Sequence, residues 1–175
     1  MLGYRHTGRE TGDGLSLGAV ARRARRARGR YCYAMATFLF KTEPADFSYA
    51  DLAAATGNVW DGVANAQALA VLRTMKQGDE VLIYHTGDER AVVGLAVVVK
   101  GAYADPKQPG LTAKGEIKVP VVGLKAVKAA KVPVTLAAIK ADARFADWAL
   151  VRQGRLSVMP VAAGLDEAIR SMAGL

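Results

Sequence analysis

One cysteine, Cys32, stands alone in 175 residues, so no disulfide can form within the chain. That scarcity fits a reducing compartment. Histidine is nearly as rare: His6 and His85 together with Cys32 cannot build a zinc site of the usual type. No run of about 18 apolar residues occurs, which excludes a helical membrane span. Aromatic residues make up only 7% of the chain, so an aromatic set among polar neighbours stands out. These absences predict a cytoplasmic protein with no metal, no cofactor and no membrane partner.

What is present suits one compact domain. The chain is 51% hydrophobic and 23% charged, enough for a core of its own. Its net charge of +8 is unevenly placed. Residues 1–34 hold eight arginines against Glu10 and Asp13, whereas 35–175 is close to balanced. That balance argues against a strong nonspecific grip on nucleic acid and leaves room for a small base-reading site. Residues 1–34 read as a disordered Arg/Gly-rich leader, with 35–175 as the domain. The leader could be a basic arm for nucleic acid or a targeting peptide. A third reading, favoured because Met35 leads straight into strand-patterned sequence, makes Met35 the true start and the leader no part of the native protein.

From Met35 the pattern predicts a strand over 37–41 and a helix to residue 55 started by the capping pair Ser48 and Asp51. A loop around Trp60 follows, then a helix over 66–75 with Asn65 as N-cap. Strands are expected over 80–86 and 91–100, joined by a hairpin turn at 87–90. A loop over 105–115 leads to a strand over 117–127, which Pro120 places at an edge or bulge. Helices over 133–141 and 142–151, a strand over 156–161 and a helix over 164–172 complete the chain. Strands without βαβ regularity give an α+β fold, a small, partly open β-barrel surrounded by short helices.

Three polar-aromatic islands break the alanine- and valine-rich background. The first runs from Phe38 through Phe40 to Pro44 and ends in Lys41-Thr42-Glu43-Pro44. Strand alternation puts Lys41 and Glu43 on one face and Thr42 on the other, as a salt-bridged strand end or as a hydrogen-bonding rim. The second runs from Val59 and Trp60 through Asp61 and Gly62 to Asn65. Trp60 is either core or a base-stacking wall, and Asn65 either a cap alone or a reader of a base edge. The third, Arg155 to Pro160, reads as strand with Arg155 and Ser157 on its polar face and Leu156 and Val158 on the other. Tyr84-His85-Thr86 closes a strand, with His85 structural or functional. Trp148 lies in an apolar helical stretch and reads as core.

In order and wording these islands resemble the EVE domain, a member of the PUA-like superfamily and a relative of the YTH domain. The resemblance covers residues 36–170 and implies the PUA-like barrel. It implies a non-enzymatic module that binds nucleic acid, DNA or RNA, carrying a modified base. By that likeness Trp60 would wall a cage and Asn65 contact the base. Arg155 would reach phosphate or base, and Ser157 would donate a hydrogen bond, with Lys41, Thr42, Glu43, Tyr84, His85 and Thr86 completing the site. The chain departs from the family at Ala64 and Ala66, where Arg and Tyr are usual. It departs again near Gly115, where a Trp is common, and at Met159, where Gln is usual. The second aromatic wall is therefore unassigned, with Tyr103 and Phe47 as candidates.

Two other functions compete. Another PUA-like branch, the ASCH-type amidohydrolases acting on acylated cytidine, would use Lys41, Thr42 and Glu43 as nucleophile and acid/base. Alternation along the strand turns Thr42 away from its would-be partners. A protein-interaction domain with a decayed pocket is the third reading, consistent with the missing aromatics.

Overall fold

The computed structural model describes residues 35–175, and the expectation of a disordered leader over 1–34 lies outside the described residues. Strand β1 (Thr37–Thr42) buries Phe38, Leu39 and Phe40 and pairs in parallel with β3 (Glu80–His85), from Thr37↔Glu80 to Thr42↔His85. A parallel pair needs a long crossover. Here it consists of α1 (Tyr49–Ala54), β2 (Asn58–Trp60) and α2 (Ala66–Thr74). From β3 the chain turns at Gly87, with φ of +64°, into the long antiparallel pair β4 (Ala91–Ala104) and β5 (Pro120–Thr135). Helices α3 (Leu136–Ala141) and α4 (Ala149–Arg152) follow, then β6 (Val158–Val161) and α5 (Ala163–Ala173). The sheet order is β2-β5-β4-β3-β1-β6.

That order places β2 at one edge and β1 next to the other. Yet the Trp60 ring of β2 lies 5.0 Å from the Phe40 ring of β1. The sheet therefore curls until its far edge packs against its near side, while β2 and β6 stay unpaired with each other. This is the α+β, partly open PUA-like barrel that the sequence predicts.

Local capping is as expected at two helices. Ser48 Oγ accepts from the Asp51 amide, and Asp51 returns the bond to the Ser48 amide at 2.8 Å. Asn65 Oδ1 accepts from the amides of Gln67 and Ala68 at 2.9 and 3.1 Å. Helix α1 is docked by Tyr49, whose hydroxyl donates to the Leu95 carbonyl at 2.9 Å. Its ring lies flat on Gly94, where any Cβ would collide with it.

Five sequence expectations need correction. The Trp60 segment is a strand, β2, paired with residues 122–124 of β5, and not a loop. The strand expected over 117–127 starts at Pro120 and runs on to Thr135. Between the pairs Gly94↔Ala129 and Val92↔Val134 the register slips, and this bulge takes in Pro133, which cannot donate to a ladder. Helix α3 consequently begins at Leu136, capped by Thr135, and the helix expected over 142–151 is a 3-10 turn (Ala143–Phe145) followed by α4. Last, β6 begins at Val158, so Arg155 lies in a turn and Ser157 just before the strand. The expected shared strand face for these two does not exist.

Candidate functional site

The site is organised by the paired ends of β1 and β3. Their register sets Lys41 beside Tyr84 and Thr42 beside His85, and the pleat sends these two pairs to opposite faces. On the Thr42 face the polar atoms hold the next stretch of chain. Thr42 Oγ1 donates to the Phe47 carbonyl at 2.7 Å, and His85 Nε2 accepts from the Tyr49 amide at 2.9 Å. Since Nε2 accepts, Nδ1 carries the ring proton and donates to Glu89 Oε2 at 2.5 Å. His85 is 7% exposed and neither ring nitrogen is left for a ligand. The segment after β1 is also pinned through Glu43, whose Oε2 accepts from Thr86 Oγ1 at 2.7 Å while Thr86 N donates to the Thr42 carbonyl at 2.8 Å.

These bonds present Phe47 to Trp60. The two rings stand nearly perpendicular, 79° apart with centroids at 6.1 Å, an edge-to-face geometry that aromatic pairs favour. Together with Thr42, Val59 and Asp61 they line a cleft of about 210 Å³. That is smaller than the ~300–1,000 Å³ of a drug-sized pocket and suits one flat ring. Trp60 is only 9% exposed, because Phe40 covers its inner side. Asp61 supplies a carboxylate at the rim, paired at 2.9 Å with the exposed Lys107, whose pKa it raises through that hydrogen bond.

On the opposite face lies a second cleft, of about 340 Å³, lined by Lys41, Tyr84, Thr86, Arg90, Leu136 and Leu150 among others. Lys41 Nζ donates to the Gly154 carbonyl at 3.1 Å and lies 6.0 Å from the centre of the Tyr84 ring. Partial burial lowers the Lys41 pKa and raises that of Tyr84, the latter opposed by the charge of Arg90.

The predicted residues thus divide. Thr42 and Trp60 meet at the aromatic cleft; Lys41, Tyr84 and Thr86 meet at the other. Glu43 and His85 are engaged inside the protein. Asn65 is exposed with Oδ1 committed to its helix, which leaves Nδ2 as its open donor. Arg155 is exposed, and the Ser157 carbonyl accepts from the Lys41 amide at 2.8 Å. Of the two candidates for a second aromatic wall, Phe47 faces Trp60, whereas Tyr103 stacks under the Lys100 ammonium at 3.6 Å. Sequence reasoning passed over Asp61 and Arg90. Asp61 adjoins Trp60 in the quoted island, so its signal was present; Arg90, one polar residue in a turn, gave none. Among the described residues no three His, Cys, Asp or Glu side chains converge as a metal would require, and no helix is long and apolar enough to cross a membrane.

Comparison with known proteins adds the family. The family model described as the EVE domain matches residues 36–172. Thymocyte nuclear protein 1 of Homo sapiens is 40% identical over 83 residues, 41% of this chain and 37% of that protein. The chain therefore spans little more than a third of this curated relative's length. A solved structure from Rhodopseudomonas palustris shares 39% identity with a TM-score of 0.72, covering 80% of this chain and 94% of that one. Human THYN1 protein, solved in complex with 5-methylcytosine-containing DNA, shares 28% identity with a TM-score of 0.71 and covers 80% of this chain and 98% of that one. With the family match spanning nearly all the described residues, this chain belongs to the EVE domain family.

Proposed function

We propose that residues 35–175 form a non-enzymatic module that reads a modified base in DNA, with methylated cytosine as the base its cleft best suits. The observation that carries this is the perpendicular Trp60–Phe47 corner with Asp61 at its rim. A base slotted there stacks on aromatic surface, a contribution of about 1–3 kcal/mol. The exocyclic amine of cytosine is a donor, and a carboxylate such as Asp61 is its fitting acceptor. A 5-methyl group is apolar and would meet Phe47 or Val59. The solved human relative was bound to 5-methylcytosine-containing DNA, which supports the same ligand class for this chain. The base must be unpaired or flipped, since a cleft cannot reach it within a duplex.

In this reading Trp60, Thr42 and Asp61 face the base, Asn65 donates through Nδ2, and Ser157, Arg155 and Lys41 serve the strand around it. Glu43, His85 and Thr86 hold the Phe47 segment in place. Binding is favoured over hydrolysis because Lys41 and Thr42 open to different clefts and Glu43 is bonded to Thr86. The test is fluorescence anisotropy on single-stranded DNA carrying one 5-methylcytosine or one cytosine in the same sequence, with the RNA equivalents. The methylated DNA should bind more tightly. Asn65→Asp, which keeps the capping oxygen and removes the donor, should narrow the gap without lowering stability. Equal affinity of the wild-type protein for methylated and plain strands would end this reading.

A further inference from the structure

The second cleft holds a group the base-reading site does not use. Tyr84 is 3% exposed, yet its hydroxyl bonds to none of the described residues and opens into the cleft it shares with Lys41 and Arg90. A phenol sealed from all partners would be costly, whereas one opening on a cleft is a donor for whatever enters. Lys41 spends one of its three N–H donors on the Gly154 carbonyl and has no carboxylate partner among the described residues. Arg90 has a φ of +42°, a conformation L residues rarely adopt, and donates Nε to the Gly87 carbonyl at 2.9 Å, while its Nη groups bond to none of the described residues. Leu136 and Leu150 form an apolar wall, which strengthens any charge interaction beside it.

Among the described residues each of the three open side-chain groups here can donate, and two of the three are cationic. The acids nearby are otherwise engaged or exposed: Glu43 takes the Thr86 hydroxyl, Glu89 takes His85, and Asp88 is on the surface of the turn. Thr86 therefore offers no donor of its own. A cluster of donors with an excess of positive charge is complementary to an oxyanion. We propose that this cleft seats one phosphodiester of the bound nucleic-acid strand, through the Tyr84 hydroxyl, Lys41 Nζ and the Arg90 Nη groups. A backbone phosphate is preferred over a free one because Lys41 and Thr42 are consecutive, so the two clefts flank one strand end, and a strand with its base in one brings its own phosphates to the other. The proposal rests on the base-reading function for the identity of the strand, not for the existence of the seat.

Two measurements separate these. In the first, a single neutral methylphosphonate linkage is walked along the DNA on either side of the modified base. One position should weaken wild-type binding about tenfold, the worth of a charge-assisted contact. The same linkage should have little effect on Tyr84→Phe or Arg90→Gly, variants that remove donors without disturbing packing and, at position 90, relieve the backbone. In the second, backbone amide resonances are followed by NMR as dimethyl phosphate or inorganic phosphate is added. The amides of Thr86 and Gly87 should shift saturably with dimethyl phosphate, and the shifts should vanish in Tyr84→Phe. If the methylated strand is preferred but no linkage is sensitive, the seat is overturned and the base reading survives. If a linkage and dimethyl phosphate both respond without base preference, the seat stands and the base reading falls. Saturation by inorganic phosphate alone, with no sensitive linkage, would assign the cleft to a free phosphate and refute the backbone role.

Discussion

Tyr84 and His85 are neighbours on one strand, both buried, and their polar atoms are treated in opposite ways. At His85 each ring nitrogen has a partner within the protein, one amide and one carboxylate. At Tyr84 the hydroxyl has none among the described residues. The same split runs through the adjoining strand: Thr42 gives its hydroxyl to the Phe47 carbonyl, while Lys41 keeps donors open to the cleft. A fully satisfied buried network specifies one conformation. Here that network sets the position of Phe47 and so the width of the aromatic cleft. An unsatisfied donor at a cleft adds nothing to the fold and is free for a ligand. Two strings that look uniformly functional in sequence, Lys41-Thr42-Glu43 and Tyr84-His85-Thr86, thus each divide into a scaffold half and an open half.

The largest effect that tests this division should come from Trp60, which belongs to both halves. It packs on Phe40 and Phe47, and its ring closes the curl of the sheet. Trp60→Ala should cost about 3–5 kcal/mol in urea unfolding, as for a core aromatic. Trp60→Phe should cost less and weaken binding to the methylated and plain strands alike, since either base stacks on the ring. Were Trp60→Ala to fold as stably as wild type, β2 would be an ornament on the sheet and the barrel would not depend on its closure.

His85→Ala comes next. It leaves the Tyr49 amide without its acceptor at a buried position, for a loss of about 1–3 kcal/mol. Tyr84→Phe, one residue earlier, should leave the unfolding midpoint within error because no internal bond is removed. The contrast between these two midpoints is the comparison in measurable form. Equal losses would place Tyr84 in the scaffold as well.

How far the sequence carried these assignments depends on whether the signal was local. The capping pair of Ser48 and Asp51 and the cap at Asn65 were legible because each is complete within four residues. The alternation separating Lys41 from Thr42 was legible for the same reason. Strand β2 was not, since three residues carry no period, and it exists by pairing with residues 122–124 far along the chain. The reach of β5 past Pro133 was hidden because the bulge that absorbs the proline is set by register against β4. Arg155 and Ser157 misled because alternating polar residues look like a strand face, whereas the Leu156 amide bonding the Gln153 carbonyl makes this a turn. Phe47 reached Trp60 only through the bonds of Thr42 and His85, which join residues from separate strands.

A small effect is expected at Lys41, and its sign is the sharpest test of the open half. Burial lowers the Lys41 pKa in the folded protein below its ordinary value of 10.5. Between the two values the unfolded chain binds more protons than the folded one, so stability attributable to this group rises with pH across that window. Below both values, at pH 7, the folded protein carries the full penalty of the half-buried ammonium. Lys41→Met keeps the length of the side chain, removes the charge and gives up one exposed bond to Gly154. Its stability at pH 7 should equal or slightly exceed that of wild type, within about 0.5 kcal/mol. Wild type should then gain on the variant as pH rises toward the ordinary lysine value, which urea unfolding at neutral and alkaline pH would show. Binding should respond in the opposite sense: Lys41→Met should weaken plain and methylated DNA alike and reduce the salt slope by about one. A clear loss of stability at pH 7 with an unchanged salt slope would make Lys41 a structural tie to Gly154, and the division between the two halves would fail at the strand that defines it.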